Sequence, residues 1–427
     1  LHAQPNERQV GDKGIDGVPG GCRRDRPVGD RAGRASNRDR GRDSRRPAVC
    51  GSRSLSSDGV AMTSDRTVTT NAAPSRRRRL PFVHNPALIS GRVISLGPYS
   101  MRVDPRLLWV GLILLAVALS VGIVSMLTGT LEISAGDVLA ALFGQGEERV
   151  VRTVRGRRLP RLITALLVGG SLGVAGSVFQ SLSRNALGSP DIIGFTTGAA
   201  TGAVVQIVLL GGGVMQTAMA AIVGGVITAL IVYALSRKDG VSGGIRLVLV
   251  GIGVGAILAA LTSFLMVRAD IVDAESVQRW EAGSLIGRGW PHAVSVAVAV
   301  AILLPALMSC ARKVTYMEMG DDSASALGIP VERYRFGVLI LGVALTGVAV
   351  AATGPIAFIA LAAPQIVARI ARRGGVIILP AFLMGATLLT VADLISQRVN
   401  IGLSTPVGLV TSVIGGLYLI WLLARRA

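Results

Sequence analysis

Of 427 residues, 51% are hydrophobic, 16% charged and 4% aromatic, with a mean hydropathy of +0.58; this is too apolar for an ordinary soluble domain and points to a polytopic membrane protein. The formal net charge of +19 would suit nucleic acid, but nearly half of it lies in residues 1–85, which hold 18 Lys/Arg against 9 Asp/Glu. That stretch has no aromatic ring for base stacking before Phe82 and no recognisable binding fold, so no nucleic-acid partner is expected.

Residues 1–85 read as a disordered basic tail. Met62 opens "MTSDRTVTT", more like an ordinary N-terminus than the Gly/Arg/Asp-rich run before it. Residues 1–61 therefore read as an over-called reading frame, with Met62 as the expected start. "RRRRLPFVH" is followed by a broken apolar run and not by a cleavable apolar segment, so no signal peptide is expected.

From there the chain is a succession of runs without Asp, Glu, Lys or Arg, each close to the roughly 20 residues needed to cross a bilayer. One near-uncharged stretch covers 107–131, and uncharged ones cover 162–183, 192–236, 247–267, 293–311, 336–368, 374–392 and 399–424. Gly211-Gly212-Gly213 divides the third of these eight and Thr353-Gly354-Pro355 the sixth, since proline ends one helix and starts the next. The expectation is an all-α bundle of ten transmembrane helices over residues 95–427.

Ten spans put both termini on one side, and the positive-inside rule makes that side cytoplasmic: Arg237-Lys238, Arg312-Lys313, Arg369 to Arg373 and Arg425-Arg426 fall together there. The segment "VRTVRGRRLPR", residues 151–161, then lies outside with five arginines and no acid, against the rule. Either a short loop tolerates arginine, or an acidic partner docks from outside; the second reading is favoured. Small residues at spacing four, Gly169/Gly173, Gly194/Gly198/Gly202 and Gly251/Gly255, read as helix-packing faces. "ALLVGGSLGVAG" after Arg161 and "VLILGVALTGVAV" after Arg335 hint at a repeat of four helices.

"NALGSPDIIGF" reads as a turn at the opposite end of the bundle from the polar stretch 313–335, with Ser189 as N-cap, Pro190 first in the helix and Asp191 in its first turn. The stretch "KVTYMEMGDDSASALGIPVERYR", residues 313–335, is too polar to cross. Glu318, Asp321, Asp322 and Ser323 could cap a short helix stopping at Gly328 before Pro330; this is either an ordinary capped loop or contact with a cytoplasmic partner. Asp393, near the outer end of a span with Arg398 five residues on, should have a partner.

The chain has no GxxxxGK[ST] loop, so any ATP must be used by a partner. No HExxH or GxSxG motif sits in the spans, and an intramembrane enzyme is not expected. Cys22, Cys50 and Cys310 are scattered, as are His2, His84 and His292, and no disulfide framework or metal site is expected.

Five blocks in order, "RLPRLITALLVGGSLGVAGSVFQSLSRNALGSPDIIGFTTGAATG", "GDDSASALGIPVERYR", "TGPIAFIALAAPQIVARIAR", "VADLISQR" and "TPVGLVTSVIGGLYLIWLL", resemble the FecCD family, the permease subunits of ABC importers for iron-siderophores, haem and vitamin B12. The resemblance runs from about residue 95 to the C-terminus. It implies a ten-helix permease that pairs with a second permease subunit, two cytoplasmic ATPase subunits below, a substrate-binding protein docking outside, and no cofactor bound directly.

By the same resemblance, binding-protein carboxylates would meet Arg158, Arg161 and Arg398. Family members often have arginine where Gln397 stands, and Arg152, Arg155 and Arg157 have no counterpart. Residues 318–329 resemble the paired coupling helices seated in the ATPase, with Gly320, Ala324, Leu327 and Gly328 at the motif positions and Glu318, Asp321, Asp322, Ser323 and Ile329 completing the segment. The substrate path would follow the interface between the two permeases, walled partly by the fifth helix, residues 246–266, with a gate near Ser242, Gly243 and Gly244. Many relatives carry histidine at the position of Gln365. The implied substrate is an intact ferric siderophore, with a leaning towards catecholates in high-GC Gram-positive bacteria. Haem or cobalamin import is the alternative within the family. An ion-coupled secondary transporter is the alternative from another class, although the spans hold almost no acids apart from Asp393.

Overall fold

In a lipid interior every backbone N–H and C=O must be satisfied within the chain, so long apolar runs fold as helices. A computed structural model describes residues 92–96, 99–103 and 105–424, apart from 130, 132, 192, 239–240, 243, 373–374 and 400–404. The expected tail, residues 1–85 with Met62, lies outside them. The described residues belong to one compact unit, Val83–Ala427.

A hairpin of β1 (Arg92–Leu96) and β2 (Tyr99–Val103) precedes α1 (Pro105–Leu127). Then come α2 (Ala135–Leu142), α3 (Glu148–Thr153), a π-helical turn over Val154–Arg158 and α4 (Leu159–Ser183). Next are α5 (Phe195–Leu210), α6 (Val214–Ser236), the two-residue strands β3 (Arg237–Lys238) and β4 (Val241–Ser242), and α7 (Gly244–Arg268). The chain continues through α8 (Ile271–Glu281), α9 (Trp290–Met317), α10 (Asp321–Ala326), α11 (Val331–Thr353), α12 (Ile359–Ala371), α13 (Ile378–Arg398) and α14 (Val407–Ala424).

Seven of these helices are long and apolar enough to cross a membrane, and three shorter apolar ones, α5, α12 and α14, occupy the remaining uncharged runs. Each of the ten expected spans is therefore a helix. The breaks fall where glycine and proline put them: Gly211 ends α5 at φ 61° and Gly354 ends α11 at φ 75°, a left-handed backbone that glycine adopts without a Cβ penalty.

Three features depart from expectation. The segment 151–161, read as a short loop, is instead helical from the end of α3 through the π turn into α4, and α2 precedes it. The start of α2 is signalled in the sequence by Ser134-x-x-Asp137: Ser134 Oγ accepts from the Asp137 N–H at 3.2 Å and donates to its carboxylate at 2.7 Å. Second, α9 runs on through residues 313–317, so the stretch between spans shortens to 318–330. Third, "NALGSPDIIGF" is not at the opposite end from that stretch. Ser181 Oγ, just before it, donates to Glu318 at 2.5 Å, and Arg184 pairs with Asp321.

The core is centred on α4, which packs against α9, α11, α12 and α13. Its glycine stripe allows backbone contact: a Cβ on Gly169 would lie 2.4 Å from the Gly385 carbonyl oxygen, and one on Gly173 would lie 2.3 Å from that of Ala381. Close approach of this kind replaces the hydrophobic drive that is absent between helices in lipid. The same holds for α5 on α6, where a Cβ on Gly202 would meet the Ala220 carbonyl oxygen at 2.3 Å. By contrast α7 is largely exposed, with Ile245, Leu249, Ile252, Ile257, Phe264 and Val267 pointing out of the bundle.

Candidate functional site

The charged residues gather at the two ends of the bundle. At one end, the π turn carries the chain without a break from α3 into α4, and Pro160, which has no N–H to give the helical ladder, lies directly beyond that turn. This continuous helix spreads the five arginines of "VRTVRGRRLPR" around its circumference. Arg152, Arg155 and Arg157 are exposed. Arg152 pairs with Glu148 at 2.5 Å, both side chains well exposed. The Trp290 indole donates to the Arg155 carbonyl at 2.8 Å, fastening the start of α9 to this turn. An open cleft of about 500 Å³ is lined by Glu147, Glu148, Arg149, Arg152 and Arg157, among others.

Two of the three arginines matched to the family's docking positions, Arg158 and Arg161, are engaged within the chain. Arg158 lies over Gly129 and donates to the Met126 carbonyl at 2.6 Å and the Leu131 carbonyl at 2.7 Å, closing the α1–α2 connection. Arg161 grips Asp393 of α13, its Nη2 2.7 Å from Oδ1 and its Nε 3.1 Å from Oδ2. Asp393 is 1% exposed, and Gln397, one turn on, donates to the same carboxylate at 2.8 Å. The partner expected for Asp393 is thus Arg161 and not Arg398, which is exposed at the last residue of α13.

At the other end, α10 hangs between α9 and α11. Gly320, at φ 118°, and Gly328, at φ 78°, turn the chain on either side of it. Its N-cap is Gly320, with no side-chain cap bond, so the acids expected to cap it do something else. Glu318 accepts from Ser181 of α4. Asp321 accepts from Arg184, just past the end of α4, and from Arg335 of α11, the latter at 2.7 Å. Arg335 is buried and also pairs with Glu332, which accepts from Tyr233 of α6 at 3.1 Å. Ala324 is fully buried, while Met319, Asp322, Ser323, Leu327 and Gly328 are exposed and Ile329 is half-buried. A cleft of about 670 Å³ opens beside α10, lined in part by Arg184, Asp322, Ser325, Glu332 and Arg333.

Of the expected gate, Ser242 pairs in backbone register with Arg237, Gly243 lies outside the described residues, and Gly244 begins α7. Gln365 is buried and donates to the Ala186 carbonyl at 2.5 Å, bracing the α4–α5 connection. In that connection Pro190 and Asp191 form a turn; the helix begins only at Phe195, after Gly194 at φ 83°. Asp191 accepts from the Thr196 hydroxyl, and burial pushes its carboxyl above the ordinary range against the opposing pull of that hydrogen bond. Between α8 and α9, burial lowers the pKa of Arg288, whose Nε donates to the Ser284 carbonyl at 3.3 Å. Among the described residues no group of three or more His, Cys, Asp or Glu side chains is placed to hold a metal ion.

The model of the FecCD transport family matches residues 113–425. The chain is 41% identical over 325 residues to the ferric enterobactin transport system permease protein FepG of Escherichia coli, covering 76% of this chain and 98% of that protein. It is 37% identical over 316 residues to the achromobactin transport system permease protein CbrC of Dickeya dadantii, covering 73% and 90%. A solved inward-facing structure of a metal-chelate type ABC transporter superposes with a TM-score of 0.66 at 25% identity, covering 75% of this chain and 99% of that one.

Proposed function

The chain belongs to the FecCD transport family, and on that premise we propose that it is the transmembrane permease of an ATP-driven importer that carries intact ferric-siderophore complexes across the cytoplasmic membrane. The observation that carries this reading is the 41% identity to a ferric enterobactin permease over nearly that protein's whole length. The chain itself contains no phosphate-binding loop and binds no cofactor in this reading, so ATP hydrolysis falls to a partner.

The assembly is two permease subunits, two cytoplasmic ATPase subunits and an extracytoplasmic siderophore-binding protein. The exposed apolar wall of α7 supports a second permease beside it, with the chelate passing between the two. Both termini are cytoplasmic, since the basic connections Arg237-Lys238, Arg312-Lys313 and Arg369 to Arg373 then obey the positive-inside rule. The α10 end faces the ATPase: exposed Met319 and Leu327 give it an apolar contact and Asp322 a charge. The α3 end faces the binding protein. Docking on acidic groups falls on Arg398 and on exposed Arg152, Arg155 and Arg157, with Arg158 and Arg161 shaping the platform beneath them.

The test is uptake of radiolabelled iron, presented as several ferric siderophores, by cells with and without this gene. Loss of uptake for one chelate supports the reading and names the substrate. Unchanged iron uptake with every chelate overturns it and moves the assay to labelled haem and cobalamin; the cobalamin import system permease protein of Halobacterium salinarum is 34% identical over 271 residues. An ion-coupled transporter fits poorly, because the buried acid Asp393 is already neutralised by Arg161.

A further inference from the structure

α4 is tied by ions at both of its ends. At the α10 end, Arg184 takes a left-handed conformation, φ 49°, that terminates the helix and sends its guanidinium across to the α9–α10 junction. There its Nε donates to the Met317 carbonyl at 3.2 Å and its Nη2 pairs with Asp321. Asp321 takes a second guanidinium, from Arg335 at the base of α11. One carboxylate on the six-residue α10 therefore holds two membrane helices, while the neighbouring Glu318–Ser181 bond joins the end of α9, not α10, to α4.

At the far end, 23 residues and about 35 Å along the axis, Arg161 holds Asp393 of α13. Between these ends α4 and α13 touch backbone to backbone at Gly169, Gly173 and Gly385. Helices in such contact slide only by breaking their packing, so a displacement at one end is delivered at the other.

We infer that Asp321 is a positioning residue, the joint through which movement of α10 passes into α4 and α11 and so reaches the arginine-bearing face at the opposite end. This rests on the importer reading. Asp321 is then distinct in role from its neighbour Asp322, which is exposed on the same short helix and free to meet the ATPase. The coupling is a free energy between the two ends and reads out as a change in affinity at one when the other is switched.

The experiment uses the full transporter in lipid nanodiscs and measures its affinity for a binding protein loaded with a ferric tris-catecholate, first without nucleotide and then with ATP trapped by vanadate. In the wild type the two affinities should differ by roughly tenfold or more. Asp321→Asn should bring the ratio to within about twofold of unity while the nucleotide-free affinity and the attachment of the ATPase stay as in the wild type. Ser325→Ala, on the exposed side of the same short helix and outside both ion pairs, should keep the wild-type ratio. Arg184→Gln, which removes the α4 contacts to Asp321 and to the Met317 carbonyl and leaves Arg335 on Asp321, should lose the ratio as Asp321→Asn does and decides the matter if the latter fails to assemble. A wild-type ratio in Arg184→Gln or in an assembled Asp321→Asn overturns the inference alone. A wild-type complex whose affinity ignores nucleotide overturns the importer reading and the inference with it.

Discussion

Arg161 and Asp393 are 232 positions apart and meet through three N–H···O contacts of 2.7 to 3.2 Å, joining the start of α4 to the end of α13. With 23% exposure of the Arg161 side chain and 2% of the Asp393 side chain, neither charge can be left alone without a large desolvation penalty. The pair therefore behaves as a unit, and each half should be judged by what happens to the other.

Arg161→Met or Asp393→Leu alone should destabilise the permease by about 3–5 kcal/mol, because each strands the opposite charge. The double substitution should cost less than either. Thermal unfolding in nanodiscs over the complete double-mutant cycle measures this, and additive losses would show that the two side chains are not coupled.

Gly173→Ala should cost about 1–3 kcal/mol, because the new Cβ would sit 2.3 Å from the Ala381 carbonyl oxygen and push α4 off α13. Gly156→Ala, in the π turn where nothing lies within 4 Å of the added carbon, should be close to neutral. Equal melting temperatures for the two variants would contradict the close α4–α13 crossing.

Asp191→Asn should stabilise the protein at neutral pH. The folded pKa of Asp191 is raised by burial, so the folded chain holds this proton more tightly than the unfolded chain. Stability then falls as pH climbs from below the unfolded value through the raised folded one. Asparagine keeps an acceptor for Thr196 and removes the charge, so its advantage should vanish in acid. A gain that persists unchanged to pH 3 would contradict this assignment.

Arg155→Glu with Arg157→Glu should slow binding-protein association by about tenfold at low salt, with the gap narrowing as salt rises, and leave the dissociation rate within about twofold, as expected for exposed charges at an interface rim. Stopped-flow binding to the intact complex measures both rates. Unchanged association would move the docking surface away from this turn.

How much of this was legible in advance depended on range. The ten apolar helices, their breaks at Gly211 and Gly354, and the short helix stopping before Gly328 were all readable, because each follows from nearby residues: apolar length, missing side chains, a fixed proline φ; the start of that short helix at Gly320 was not. The glycine spacing of α4 announced a packing face for the same reason. The role of Asp191 was misread because Ser-Pro-Asp fits a helix start equally well as a turn, and tertiary contact from Gln365 to the Ala186 carbonyl accompanies the turn.

Composition and local pattern by themselves determined that this chain is a multi-helix membrane protein and where its apolar helices run, and five ordered motifs marked its resemblance to the FecCD family. Only the tertiary structure decided which arginines are available to a partner. Arg155 and Arg161 are indistinguishable as letters in one basic segment, but successive residues of a helix point about 100° apart, so one reaches solvent and the other meets an aspartate brought to it by a distant helix. In a low-dielectric interior that meeting commits the charge, because releasing it would leave both ions unpaired.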